Sequence, residues 1–453
     1  MVAVINFFRH RDGKLLNMCS ILITNKPIAD FELVNYYLQF RGPDHTSQHK
    51  QNGITFVHNL LSICGAFTPQ PFVDGNVVAM HNGEIYNYGD YSSDGYAIIP
   101  AYRAHGDYFA KHFDGEFAVA LADFDRNVLI FATDIFRTKP LWYAQHGTEF
   151  ALSTYRSPIE RLGFTNVVPV EANSIWQLDL ATLKLSRLGR VYDFDLRQHK
   201  TSFDDWTRAF EQSIRKRTQN LREKIFIGLS SGYDSGSIAC ELDRQGVEYH
   251  SFSVTGREPR HIVDQRCRQY HTYIDPTPEL YTIAHDFIET AVESFQYTIN
   301  SSSSNYNEYH VRLQDDSGSN GLSMVCAYAR ASDIKIYLSG QGADELFSDY
   351  GHGGTKFYNH SNFGGLFPED LTKIFPWNSF YGSSMESYLA KEEYVSGAYG
   401  IEGRYPFLDR AVVQEFLWLT ADLKNSAYKS VLDNYLKTHN YPYVPNQKLG
   451  FSV

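Results

Sequence analysis

The stretch Leu229-Ser230-Ser231-Gly232-Tyr233-Asp234-Ser235-Gly236 sets glycines and serine hydroxyls beside a carboxylate. It follows Lys224-Ile225-Phe226-Ile227-Gly228, an apolar run that reads as a buried parallel strand. It precedes Ser237-Ile238-Ala239-Cys240-Glu241-Leu242, where a helix is expected to start. Strand, small-residue turn and helix is the layout in which backbone N–H groups and the positive end of a helix dipole face an anion. Glycine and serine let the main chain approach a phosphate, and an Asp at position 234 can hold the accompanying Mg²⁺. An ordinary strand-to-helix turn has the same composition. The stretch alone leaves both readings open.

The elements that must position this loop read as alternating strands and helices. A helix is expected after Ser202, its cap, with Trp206, Phe210 and Ile214 along one face. The strand Ile225–Leu229 enters the loop, and Tyr249-His250-Ser251-Phe252-Ser253-Val254 completes a β-loop-α-β unit. A further strand, Ile334-Lys335-Ile336-Tyr337-Leu338, delivers Ser339-Gly340-Gln341-Gly342. Such alternation implies a parallel, helix-flanked sheet with ligands at the carboxyl ends of its strands, and both small-residue loops fall at such ends. Between them, Ile299–Gly321 is rich in Ser, Asn and Asp and reads as a surface loop or a substrate-covering segment that includes Asp315 and Asp316.

The first half has a different rhythm. Ser20-Ile21-Leu22-Ile23-Thr24, Phe117-Ala118-Val119-Ala120-Leu121 and Val128-Leu129-Ile130-Phe131-Ala132 are short strands punctuated by turn residues such as Asp123–Asn127. Helical pattern is confined to Phe31–Phe40 and Tyr96–His112, which suits stacked antiparallel sheets flanked by helices. A polar linker with Asp193, Asp195, Arg197, Gln198, His199 and Lys200 joins the halves.

With 453 residues, 43% apolar and 15% aromatic, the chain is long enough for two domains with separate cores. The net charge of −11, with Lys and Arg scattered, argues against a nucleic-acid partner. No apolar run reaches the roughly 20 residues of a membrane span, and Arg9-His10-Arg11-Asp12 makes a poor signal peptide. Five cysteines without paired spacing point to reduced thiols and a cytoplasmic setting.

The loop around Asp234 resembles the pyrophosphate-binding loop of the asparagine synthetase family, usually Ser-Gly-Gly-x-Asp-Ser, with Ser231 in place of the first glycine. Leu338-Ser339-Gly340-Gln341-Gly342-Ala343-Asp344-Glu345-Leu346-Phe347 and Glu402-Gly403-Arg404-Tyr405-Pro406-Phe407-Leu408-Asp409 match the same family in the same order. Met18-Cys19-Ser20-Ile21, Arg41-Gly42-Pro43-Asp44, Asn82-Gly83-Glu84-Ile85-Tyr86-Asn87 and Ser93-Asp94 resemble its glutamine amidotransferase domain. The resemblance implies a two-domain α+β and α/β chain: an N-terminal antiparallel αββα sandwich of the Ntn-hydrolase type, and a C-terminal parallel-sheet domain like the adenine-nucleotide α-hydrolases. Expected boundaries are an extension over 1–18, the amidotransferase-like domain over 19–190, a linker over 191–204 and the ATP-binding synthetase domain over 205–453.

The family activates a carboxylate with ATP and Mg²⁺ as an acyl-adenylate, which ammonia or an amine then attacks. By resemblance, Leu229, Ser230, Gly232, Asp234, Ser235, Val254 and Gly340 would bind ATP, and Asp234 and Asp344 would hold Mg²⁺. Lys448 would stabilise the transition states, and Gln341 would lie beside the acyl-adenylate. Glu345, Glu402 and Arg404 read as an ion network, structural for the latter two. In the first domain Cys19 would be the nucleophile, using its own α-amine as base. Asn82 and Gly83 would form the oxyanion site, and Glu84 and Asp94 would hold the glutamine ammonium. The family's partners are a small-molecule or peptide carboxylate and glutamine, ammonia or another amine; a homodimer is compatible with it.

Three departures bear on function. Eighteen residues precede Cys19, so its nitrogen is in a peptide bond unless translation starts at Met18 or a propeptide is removed; otherwise the site is inactive. Leu60 stands where the family has the arginine that grips the glutamine carboxylate. Gln341 stands where asparagine synthetases proper carry Glu, and an amide cannot act as a base. The leading expectation is an AMP-forming amide ligase. The alternatives are a cyclase, peptide-modifying or β-lactam-synthetase-like ligase using a substrate amine, and a non-catalytic relative. Asp234, Asp344 and Lys448 count against the last.

Overall fold

The computed structural model describes residues 19–42, 44–256, 259–300, 308–358 and 360–447. In the first half two six-stranded antiparallel sheets face each other. Ser20–Thr24 lies within one, between Ile54–Leu60 and Glu149–Ser153. Val77–Ile85, Gly115–Asp123 and Val128–Thr133 run side by side through the other.

The two-residue period of a strand explains the layering. Ile21 and Ile23 point into the core between the sheets with Phe56, Met80, Ala118 and Phe131. Leu22, between them, points outward to Val34, Leu38 and Ile159, on the short helices Phe31–Asn35, Leu38–Arg41 and Arg156–Arg161. On the far side, Ile98 and Tyr102 of the helix Ile98–His105 cover Val77 and Val119. The result is the expected helix–sheet–sheet–helix sandwich.

The second half holds a five-stranded parallel sheet, in the order His271–Ile274, His250–Val254, Ile225–Gly228, Ile336–Leu338, Glu402–Arg404. Ile225 and Ile227 pack against Trp206, Phe210, Ile238 and Leu242 on one face, while Phe226 packs against Phe252, Leu280 and Leu322 on the other. A strand covered on both faces has no polar alternation, which is why it reads as one apolar run.

Several expectations are corrected. The loop helix runs Tyr233–Gln245 with Gly232 as its cap, four residues earlier than expected, so Asp234 and Ser235 lie in its first turn. The helix after the linker is Asp204–Thr218; Ser202 accepts from the Asp204 N–H at 3.1 Å but is not its cap residue, which is Phe203. Phe31–Phe40 breaks into two short helices, and Tyr96–His112 is one helix between two 3₁₀ turns. The Ser- and Asn-rich stretch is in part regular. Glu308–Arg312 is a strand paired with Gln296–Asn300, and Ser317–Ala331 is a helix. Asp316 caps that helix by accepting from the Gly318 and Ser319 N–H groups, the competition for backbone donors that makes Asp a cap and not a helix former. Among the described residues no helix is long and apolar enough to cross a membrane.

Candidate active site

The strand Ile225–Gly228 ends at Leu229, and the chain turns through Ser230-Ser231-Gly232 into the helix Tyr233–Gln245. Inside the turn the Ser230 N–H donates to Ser235 Oγ at 3.0 Å, and the Gly232 N–H to Ser230 Oγ at 3.1 Å. From below, the buried Arg266 donates to the Ser230 and Gly232 carbonyls at 2.6 and 2.8 Å and to Pro442 O at 2.7 Å. A Cβ on Gly236 would stand 2.6 Å from the Arg266 guanidinium, which is why the position after Ser235 is a glycine.

The neighbouring strand, Ile336–Leu338, ends in Ser339-Gly340-Gln341-Gly342 and the short helix Ala343–Phe347. Gly340 lies so close to the first loop that a Cβ would come 2.8 Å from Asp234 Cβ, and Gly342 has φ +96°. This close approach brings two carboxylates together. Lys429 Nζ donates to Asp234 at 2.6 and 2.8 Å and lies 2.9 Å from Asp344 Oδ1, which also accepts from the Tyr428 hydroxyl at 3.0 Å. The lysine side chain is 2% exposed. Burial, with the Asp344 and Asp234 carboxylates next, drives the Tyr428 phenol well above its ordinary range.

Both loops open on a cavity of about 330 Å³. Its lining includes Ser230, Gly232, Asp234, Ser235, Gly340, Gln341 and Asp344, together with Tyr297, Tyr350, Tyr388 and the Asp316–Lys391 pair at 3.0 Å. Most of the expected nucleotide residues thus meet at one place. Leu229, just past one strand, and Val254, the last residue of its neighbour, are not part of the lining; the Leu229 N–H donates to Phe252 O at 2.8 Å. Lys448 lies outside the described residues. A second cavity, of about 370 Å³, lies between the domains around Arg137 and Tyr381 and contains none of the expected residues.

In the first domain Cys19 begins the described chain at the head of the strand Ser20–Thr24. Its thiol donates to Leu61 O at 3.7 Å and accepts the Leu61 N–H at 3.3 Å. Burial pushes the thiol well up, against the pull of the Leu61 contact. Asn82 is 1% exposed, with Nδ2 shut off from solvent and no partner among the described residues. Gly83 has φ +113° and no room for a Cβ, which would stand 1.9 Å from Glu116 O. Asp94 accepts from the Ile85 and Gly95 N–H groups at 2.9 and 2.8 Å and faces His81 Nε2 at 3.1 Å. Burial alone would raise its carboxyl, but His81 and these N–H groups outweigh that and hold it low. Glu84 is ion-paired across the domain boundary, 3.0 Å from Arg404, which also donates to Glu402 at 2.8 Å. Burial still pushes Glu84 well up. Leu60 is buried, and its side chain has neither charge nor donor with which to grip a carboxylate.

The two halves match two family models: a glutamine amidotransferase domain over residues 18–175 and asparagine synthase over 205–381. Asparagine synthetase B (glutamine-hydrolyzing) of Escherichia coli is 24% identical over 82% of this chain and 69% of its own. Asparagine synthetase (glutamine-hydrolyzing) 2 of Arabidopsis thaliana is 25% identical over 91% and 72%. The chain belongs to the asparagine synthetase family. Members of that family are ATP-dependent ligases that form carbon–nitrogen bonds, and this member carries both domains. A solved structure of glutamine phosphoribosylpyrophosphate amidotransferase from B. subtilis gives a TM-score of 0.33 at 13% identity over 71% of this chain and 82% of that one, too distant to bear on the argument.

Sequence reasoning missed Lys429, Arg266 and the cavity-facing Glu392 of this family member. Nothing in the spacing of Tyr428-Lys429-Ser430 sets that lysine apart from others at a helix start. Its left-handed backbone, φ +47°, is visible only in three dimensions.

Proposed function

We propose that the synthetase domain activates a carboxylate on the α-phosphate of ATP, releases pyrophosphate, and passes the acyl group to a nitrogen nucleophile. The observation that carries this reading is the convergence on Lys429 of Asp234 and Asp344, each in the first turn of the helix after one of two neighbouring parallel strands. The leaving pyrophosphate gathers charge, and preorganised donors aimed at that charge lower the barrier most. Here they are the N-terminal end of Tyr233–Gln245 and the Lys429 ammonium; Lys448, a further cation by resemblance, lies outside the described residues.

Asp234 and Asp344 offer the all-oxygen donors that Mg²⁺ prefers, and both already face a cation, so the site fits that ion. Mg²⁺ held there with ATP would offset charge on the β- and γ-phosphates. Backbone at Leu229 and Val254 flanks the adenine, and Gly340, packed against Asp234 of the first loop, lies beside the nucleotide. Gln341 Nε2 is shut off from solvent and has no partner among the described residues, so the amide is available to a ligand. An amide offers hydrogen bonds but no charge, and L-aspartate is therefore a weak acceptor for this chain.

In the amidotransferase domain Asn82 and Gly83 form the oxyanion site for Cys19, and Asp94 holds the glutamine ammonium. Glu84 shares that task only when Arg404 releases it. Glutamine serves as the nitrogen source when Cys19 carries a free α-amine, and ammonia or another amine serves otherwise. The free thiols among the described residues suit a cytoplasmic setting.

The test is ATP–pyrophosphate exchange with the twenty amino acids and common dicarboxylic acids as probes. Exchange that depends on one of them and is abolished in Asp234→Asn supports the reading. No exchange with any of them contradicts it.

A further inference from the structure

If position 341 is an amide, another group must take the proton that an attacking amine loses. Five carboxylates line the cavity beside Gln341. Asp234 and Asp344 are engaged by Lys429. Asp316 is held by Lys391 at 3.0 Å and by the Gly318 and Ser319 N–H groups. Glu345 accepts from the Tyr350 hydroxyl.

The fifth is Glu392, on the helix Ser384–Ala398. Its Oε2 is shut off from solvent with no partner among the described residues. Glu392, Ser339 and Gln341 all line this cavity. Ser339 Oγ accepts the Gln341 N–H at 3.0 Å, so Glu392 shares its cavity with the braced loop where the acyl-adenylate would be placed. Its neighbour Glu393 turns the other way, to Arg41 and Lys139 of the first domain.

We infer that the Glu392 carboxylate, and not the side chain at 341, receives the proton of the attacking amine. The inference rests on the ligase reading above. The nitrogen lone pair forms the new C–N bond, the acyl C–O bond to the α-phosphate breaks, AMP leaves with that electron pair, and the N–H proton passes to Oε2. Burial raises the carboxyl from 4.5 to about 7, against the pull of Ser339 and Lys391. A base with that affinity is half ionised near neutral pH, where proton acceptance is most effective. The charged and titratable groups around it are Lys391 and Glu393 on its own helix, Glu345 from the second loop, and Tyr337, Tyr405 and Cys326 from the sheet and its neighbours.

The experiment compares wild type, Glu392→Gln and Glu392→Asp in the full chain, with the carboxylic acid that gives the fastest wild-type exchange as probe. Three rates are read: ATP–pyrophosphate exchange, trapping of the acyl group by hydroxylamine, and amide formation from ammonium chloride across pH 6–9. Hydroxylamine is neutral and nucleophilic at pH 7 and depends little on a base. Expected for Glu392→Gln are exchange and hydroxamate within about threefold of wild type, ammonia-dependent amide lower by about 10²-fold or more, and loss of the acid limb of its pH profile near 7. Glu392→Asp restores part of the rate. Equal amide formation in wild type and Glu392→Gln overturns the proposal and leaves the ligase reading standing, as does an equal fall in all three rates. No exchange with any acid in wild type overturns both.

Discussion

Lys429 holds the only buried ammonium found between Asp234 and Asp344 among the described residues. Lys429→Met keeps the length of the side chain and removes the charge. It is expected to slow ATP–pyrophosphate exchange by about 10²-fold or more, the scale of one preorganised charge; initial rates at saturating ATP check this. At Gln341 the change to Glu supplies a charge partner for an amino-acid acceptor, worth about 1–3 kcal/mol when partly buried. The specificity ratio for L-aspartate against other acids should rise in Gln341→Glu, and an unchanged ratio would mean that Gln341 only braces its loop. Asp234, Asp344 and Gln341 were legible in the sequence because each sits in a short motif whose neighbours carry the same chemistry. Lys429 and Glu392 were not, because their roles come from where a helix start and a helix face arrive. Lys448, read from the resemblance alone, lies outside the described residues.

The loop Ser230–Ser235 keeps its shape through an element far along the chain. Arg266, from the helix Arg260–Arg266, holds two loop carbonyls and leaves no room for a side chain at 236. Gly236→Ala is expected to push the guanidinium away, cost about 1–3 kcal/mol through overpacking, and lower exchange more than that loss of stability accounts for. Urea unfolding and exchange on the same preparation check both parts. The central parallel strand could be read from its unbroken apolar run, and the sandwich strands from short apolar runs punctuated by turn residues. The helix start at Tyr233 could not, because Gly232 reads as loop while its extended backbone, ψ 173°, makes it the cap. Composition hid the helix Ser317–Ala331, since serine, glycine and asparagine fill its first turns and Asp316, its cap, reads equally as a loop residue.

Across the whole molecule the two domains are joined by buried charge. Glu393 faces Arg41 at 2.8 Å and Lys139 at 2.7 Å, and none of the three side chains has any exposure. Glu393→Ala strands two cations, so a loss of about 3–5 kcal/mol is expected in chemical unfolding. Glu293 crosses the same boundary, accepting the Ser157 N–H at 2.8 Å, and burial raises its carboxyl from 4.5 to about 7 despite that contact. Between those values the folded chain keeps a proton that the unfolded chain has lost. Its contribution is therefore complete below about pH 4.5 and is lost as pH rises through about 7. Glu293→Gln should flatten the fall in unfolding free energy between pH 5 and 8 by on the order of 1–3 kcal/mol, as followed by urea titrations. The central claim concerns the bond in ATP that the synthetase site breaks. Phosphorus NMR of the reaction with the acid that supports exchange measures it directly. The account predicts AMP and pyrophosphate in equal amounts, both absent in Asp234→Asn, and ADP with orthophosphate would contradict it.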